Sequence, residues 1–195
     1  DCADEQCASD PICKQAVKIK VIDGVYGQPM KNITVTLFAS DSYSQETIGT
    51  NYTDKDGIAG FTIDMTAFSD PPVQAYAQID YKEAEGIFEI IYDEGGANKV
   101  TSVYSADFKV PWGSSPFVVT MKPGSSSIDS SKTDSGTLNR IKDLSLIYHY
   151  TSEVADFYRV NLSYSFDTAK LPVQIYTFST QGSCQACYRT SNHNI

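Results

Sequence analysis

Five cysteines carry the most reactive chemistry this chain offers, and they sit only at its ends: Cys2, Cys7 and Cys13 at the start, Cys184 and Cys187 near the finish. Cys184-x-x-Cys187, with other thiols and His193 at hand, has the donor types of a tetrahedral zinc site. One C-x-x-C among irregular spacings falls short of a zinc motif. The pair also lacks the strand-to-helix setting that lowers a thiol pKa for redox exchange. Disulfide formation is the chemistry that remains, within each end or between them. An odd count leaves one thiol over, either free, bridged to another chain, or parted from its partner by cleavage of a longer protein.

Other chemistry is sparse. Asp54-x-Asp56-Gly57 opens like an EF-hand loop, but the twelfth position, where a bidentate Glu belongs, is Met65, so a tight turn is the better reading. His149 lies between Tyr148 and Tyr150 in a strand-like run, and His193 lies in a polar tail. There is no Gly-x-Ser-x-Gly elbow, paired-His zinc motif or phosphate-cradling glycine loop. The residues therefore predict no enzyme, no cofactor and no metal site. Asn32-Ile-Thr34, Asn51-Tyr-Thr53 and Asn161-Leu-Ser163 are three N-glycosylation sequons where about one would arise by chance, which together with the cysteines predicts a secreted, extracellular glycoprotein.

Composition narrows the class further. A formal charge of −9 without a Lys/Arg cluster repels phosphate, so nucleic acid is excluded as a partner. No apolar run of about 18 residues is present to span a membrane, and the residues before the first strand do not read as a signal peptide, as expected of a mature secreted chain or a processed fragment. Thirteen Tyr and nine Phe favour pleated, half-buried surfaces.

The elements that must position these residues read as strands. Val17, Ile19 and Val21 alternate with Lys18 and Lys20; after Asp23-Gly24 and Gly27-Gln28-Pro29, Ile33, Val35 and Leu37 alternate with Thr34 and Thr36. The two runs predict a directly paired hairpin. A second hairpin is predicted from Thr50–Asp54 through Lys55-Asp56-Gly57 to Phe61 and Ile63, with Gly57 supplying a positive φ. Val73–Ile79, Ile87–Tyr92 and Val100–Val110 follow, the last as the antiparallel partner of the run before it. The helical candidates are Glu5–Ala16, broken by Asp10-Pro11, and Thr66–Phe68.

Pro111-Trp112-Gly113-Ser114-Ser115-Pro116 marks a domain boundary, with Trp112 plugging the seam. Phe117–Met121 opens a second unit. The serine-rich segment 123–139 is too polar to offset its ordering entropy and is predicted to be a mobile loop. Leu144–Tyr150, Tyr158–Phe166 and Val173–Phe178 are predicted as further strands. The fold class expected is all-β: a Cys-rich segment at 1–14, then two consecutive antiparallel β-sandwich domains, macroglobulin- or immunoglobulin-like, at 15–110 and 111–195.

The order strand, Asp23-Gly24, Gln28-Pro29, strand, Asn51-Tyr-Thr-Asp54-Lys-Asp-Gly57-Ile-Ala-Gly-Phe61 and Val73-Gln-Ala-Tyr-Ala-Gln-Ile-Asp-Tyr-Lys82 resembles the third macroglobulin-type domain of the α2-macroglobulin family. Ser115-Pro-Phe-Val118, Ile141–Tyr150 and Leu171–Phe178 are similar to strands of the fourth. Transthyretin-like modules share the opening pattern. The resemblance implies part of a secreted protease-trapping inhibitor or complement-like protein whose domains form a scaffold, with interchain disulfides in that branch of the family. The family's Cys-Gly-Glu-Gln thioester is absent, so this chain alone could not trap covalently. The expected function is a non-catalytic extracellular scaffold or binding module, or a free-standing secreted binding protein on the same modules. Its expected partner is protein: other domains of a parent chain, or a second copy joined by a disulfide.

Overall fold

The computed structural model describes residues 13–41, 43–68, 73–94, 97–111, 115–166, 172–178 and 187–188. In chain order these form β1 (Lys14–Val21), β2 (Ile33–Ser40), β3 (Gln45–Tyr52), β4 (Ile58–Asp64), β5 (Gln74–Glu83), β6 (Phe88–Glu94), β7 (Ala97–Val100), β8 (Ser102–Tyr104), β9 (Phe108–Lys109), β10 (Phe117–Met121), α1 (Ser135–Asp156), β11 (Val173–Phe178) and β12 (Cys187–Tyr188). The small sheet has the order β10-β1-β4; the large one runs β12-β11-β6-β5-β2-β3, with β7 beside β6 and with β8 and β9 beside β5. The fold is β-rich with mixed sheets and one long helix.

Alternation builds the core. Val17, Ile19 and Val21 of β1 join Ala59 and Ile63 of β4, Met121 of β10, Val35 and Leu37 of β2, and Ala77 and Ile79 of β5 in one buried cluster. Each fully buried aliphatic side chain contributes about 1.5–3 kcal/mol. The inward faces read from sequence for β1, β2 and Val73–Ile79 are buried, but in β2 the opposite face is buried too, with Thr34 donating to the Lys82 carbonyl at 3.0 Å and Thr36 between β3 and β5.

Pairing differs from the two hairpins expected. A hairpin does begin after β1: the Met30 N–H donates to the Val21 carbonyl (3.0 Å) and the Asp23 N–H to that of Gln28 (2.8 Å). At Asn32, with φ +58, the chain then turns away, and β2 pairs with β3 and β5 in the large sheet instead of with β1. Asn tolerates this left-handed conformation because its short side chain hydrogen-bonds locally. The second hairpin is an arch of the same kind, since β3 stays in the large sheet while β4 returns to β1. Its turn is as expected: the Asp54 carboxylate accepts from the N–H groups of Asp56 and Ile58, both at 2.9 Å. Gly57 has φ +74, and a Cβ there would stand 2.5 Å from the Val21 carbonyl oxygen.

Val100–Val110 is not one strand beside β6. β7 pairs with β6, while β8 and β9 pair with β5. The expected division at 110/111 does not separate the sheets, because β10 lies beyond it and pairs in parallel with β1, Val17 opposite Phe117. The segment 123–139 is held rather than loose: Ile128 is buried and bridges Ser105, the Ser125 hydroxyl donates to the Lys122 carbonyl at 2.7 Å, and α1 begins inside it.

The second all-β unit is overturned by α1. Leu144–Tyr150 is helical, and Phe157–Asn161, inside the expected strand Tyr158–Phe166, is a π turn. Asp134 caps the helix by accepting from the Thr137 N–H at 2.8 Å. Thr137, Ile141, Leu144, Ser145, Tyr148, Ser152 and Ala155 are buried at helical spacing. Three of these are small polar residues, so the apolar run LSLIYHY alone read as a strand. Of the two helical candidates, the piece near Thr66 is a single 3-10 turn, Met65–Ala67, and Ala16 lies in β1; most of Glu5–Ala16 lies outside the described residues.

The Asn32 crossing is testable by denaturant unfolding. Asn32→Val, forcing a β-branched residue to positive φ, should cost about 1–3 kcal/mol, whereas Asn32→Gly should stay within a few tenths. Equal losses for both would mean that the backbone conformation is not the constraint.

Candidate binding surface

The face of α1 opposite its buried side is where functional groups gather. Tyr150, Val154 and Phe157 stand at i, i+4 and i+7 and are each more than half exposed, which is unusual for a stripe of large apolar side chains. The π turn and the residues after it add Tyr158, Val160, Leu162 and Tyr164, all exposed. Their rings are in contact: Phe157 with Tyr158 (centroids 6.1 Å apart), Tyr158 with Tyr164 (6.1 Å), and Tyr164 with Phe166 (5.2 Å). Ser163, with φ +49, turns the chain so that Tyr164 folds back onto Tyr158. Beneath lies a cleft of about 430 Å³ lined by Glu85, Ile87, Arg159 and Ser163 to Phe166.

Arg159 fastens this surface to the sheet. Its guanidinium donates to Glu83 (3.3 Å) and Glu85 (2.8 Å) and lies 3.6 Å from Asp156, which also pairs with Lys31 at 2.5 Å. The Glu83 side chain is 1% exposed. Its other carboxylate oxygen accepts from the N–H groups of Glu85 (2.8 Å) and Ile87 (3.2 Å), so the buried charge is both paired and hydrogen-bonded. π turns often mark functional positions, and here the extra residue lets Arg159 point at the sheet while its neighbours face outward.

Below the helix, Tyr148 packs on Phe88 (5.1 Å) and Tyr81 (6.1 Å), and the hydroxyls of Tyr81 and Ser145 are 3.0 Å apart. Burial pushes the Tyr81 phenol far up, more than its bond to Ser145 pulls it down. Burial also raises Tyr148, helped by the negative charges of Glu83 and Asp156. Both are neutral structural phenols.

The Asp23–Gln28 loop reaches the same surface. Asp23, fully buried, accepts from the N–H groups of Val25 (2.9 Å), Tyr26 (2.6 Å) and Gln28 (2.6 Å). Burial raises its carboxyl, but these bonds outweigh it and hold the group below 3.8. The loop so fixed offers Tyr26, which raises the Tyr150 phenol above its ordinary value.

The residues expected to do chemistry fall elsewhere. Cys2, Cys7, Cys184, His193 and Trp112 lie outside the described residues. Cys13 is buried just before β1, and Cys187 is in β12, opposite Tyr176 of β11. His149 is on α1, not in a strand, with its Nε2 3.5 Å from Glu153. Of the sequon asparagines, Asn51 is exposed on β3 and donates to the Gly60 carbonyl at 2.8 Å, Asn161 ends the π turn beside the aromatic face, and Asn32 is half-buried at the crossing. Among the described residues no three His, Cys, Asp or Glu side chains converge as a metal site. Among the described residues no helix is long and apolar enough to cross a membrane. The aromatic face was missed because it belongs to the unforeseen helix; the signal was the run of apolar residues at both faces of 144–158.

Comparison with known proteins yields no matching family model and no matching curated protein. Solved structures that align include a 9R-lipoxygenase from Cyanothece PCC8801 (TM-score 0.36, 11% identity, 80% of this chain and 26% of that one). An (S)-allantoin synthase aligns at TM-score 0.38 and 14% identity over 56% of this chain and 40% of that one. Klebsiella pneumoniae 5-hydroxyisourate hydrolase aligns at TM-score 0.30 and 18% identity over 57% and 92%. The chain thus spans about a quarter of the first and two fifths of the second. All three are enzymes, and the expectation that this chain is not an enzyme, drawn from missing motifs, is left without support. At these TM-scores their activities carry no argument for this chain.

Two outcomes check the surface. Arg159→Met strands the Glu83 carboxylate in the interior and should cost about 3–5 kcal/mol in denaturant unfolding; a loss below 1 kcal/mol would show that Arg159 is not the anchor. Asp23→Asn should cost about 1–3 kcal/mol at neutral pH. Because the native carboxyl is depressed, its contribution is fully present above 3.8 and lost as the pH falls through the lowered native value, so the gap between wild type and variant should close on acidification.

Proposed function

We propose that this chain is an extracellular protein-binding module that docks its partner on the aromatic face of α1 and the π turn. The observation that carries the reading is the solvent-facing stripe of Tyr150, Val154 and Phe157, continued by Tyr158 and Tyr164. Tyrosine-rich apolar surface with polar hydroxyls is the composition of interface hot spots. Its rim is acidic: Glu85 and Glu153 are more than half exposed, while Arg159 and Lys31 are already paired with Glu83, Glu85 and Asp156. The fitting partner is a protein presenting an apolar patch with a basic rim. The sequons, the terminal cysteines and the resemblance of Val17–Lys82 to a macroglobulin-type domain support the extracellular setting, and within a longer protein of that family the partner would be an adjacent domain.

A photo-crosslinking residue at Phe157, with one at the exposed Lys55 as control, would identify the partner in extracellular fluid. The purified partner should then bind at least tenfold more weakly to Tyr150→Ala/Phe157→Ala/Tyr158→Ala than to the unaltered chain. Unchanged affinity in the triple variant would reject the aromatic face.

A further inference from the structure

The small sheet carries a second recognition feature, independent of the aromatic face. β10 pairs with β1 on one side, and the Ile22 N–H donates to the Met121 carbonyl at 3.1 Å, which places the polar groups of Met121, and by the period of two those of Val119 and Phe117, on the β1 side. The N–H and C=O groups of Val118 and Thr120 therefore point outward. Both side chains are exposed, and among the described residues no strand pairs with that edge.

Sheet edges are normally protected by charge, proline or a bulge. β3, the edge of the large sheet, carries Glu46 and a bulge where Leu37 faces Gly49 but Phe38 faces Thr47. On β4 the Asn51 side chain occupies the Gly60 carbonyl. Phe117-Val-Val-Thr-Met121 has no charge, proline or bulge.

Charge says what would fit. In a chain of net charge −9, the outward face of β1 presents Lys14, Lys18 and Lys20. Lys14 stands opposite Asp64, whereas Lys18 and Lys20 stand opposite Gly60 and Ile58 on β4 and opposite Val118 and Thr120 on β10, with no carboxylate in register. A strand added to β10 would lie about 10 Å from β1, two strand spacings, with its outward side chains beside those of the two lysines.

We propose that β10 is a docking edge for an extended acidic segment of a partner protein, added as a fourth strand with its carboxylates against Lys18 and Lys20. Backbone bonds from Val118 and Thr120 supply affinity and the lysine pair supplies selectivity, the division of labour of strand addition.

An octapeptide alternating Val and Glu, titrated into the isotope-labelled chain, should shift the backbone amides of 117–121 saturably. Lys18→Glu/Lys20→Glu, altering one exposed and one half-buried position on the outward face of β1, should weaken it at least tenfold, as should half-molar salt. Val118→Pro, which removes an outward donor as an edge position tolerates, should abolish it with the rest of the spectrum unchanged; should that variant perturb β10, the lysine double variant still decides. No shift at 117–121, equal binding of a Val–Lys peptide, or unchanged binding to the double variant would overturn the proposal. So would dilution-dependent shifts of the same amides without peptide, which would assign the edge to a second copy.

Discussion

Thr53 holds together the two places where the chain crosses between sheets. Its hydroxyl donates to the Met30 carbonyl at 2.6 Å and accepts from the Ile33 N–H at 3.0 Å, while its own N–H and C=O bond the Ile33 carbonyl and the Asn32 N–H. One buried side chain thus ties the exit from β1 to the exit from β3. Because β2 leaves at Asn32, β1 keeps a vacant edge, and β10 fills it in parallel. That pairing returns the chain beyond Met121 to the two sheets and delivers α1, whose Tyr148 closes on Tyr81 and Phe88. The helix, its aromatic face and the open edge of β10 all follow from the crossing.

Alternation in sequence reports which face of a strand is buried, not which strand lies beside it. Val17, Ile19 and Val21 bury equally well with β2 as neighbour in one sheet or as opposite layer in two, so the inward faces were legible and the pairing was not. The deciding residue, Asn32, was read as a glycosylation candidate, and nothing short of its φ distinguishes the roles. The turn at Asp54–Gly57 was legible because Gly and Asp act locally there. The helix was not, because its period rests on Thr137, Ser145 and Ser152, small residues buried by packing rather than by hydrophobicity. Likewise, alternation in Val100–Val110 could not reveal that the chain changes partner from β6 to β5.

The aromatic face and its anchor divide between them two properties that one residue type could not supply. Exposed rings bind only if they are held still, since ordering them on contact costs entropy. Here the ordering is done beforehand by Arg159, whose charge is satisfied inside by Glu83 and therefore adds nothing outside. Tyr26 is held by the same logic, through Asp23 and three backbone donors. In both cases a carboxylate without access to solvent fixes a side chain that has it.

Net charge is a poor guide to what such surfaces recognise. The total of −9 describes long-range repulsion of polyanions, yet within a Debye length of about 10 Å recognition depends on the local face. Around the aromatic stripe the most exposed charges are the carboxylates of Glu85, held by Arg159, and Glu153, beside His149, whereas on the small sheet they are Lys18 and Lys20, placed on one face by a strand period that sequence clustering does not register. An acidic chain built this way presents opposite charge on different faces, and strand geometry, not composition, sets which residues share a face.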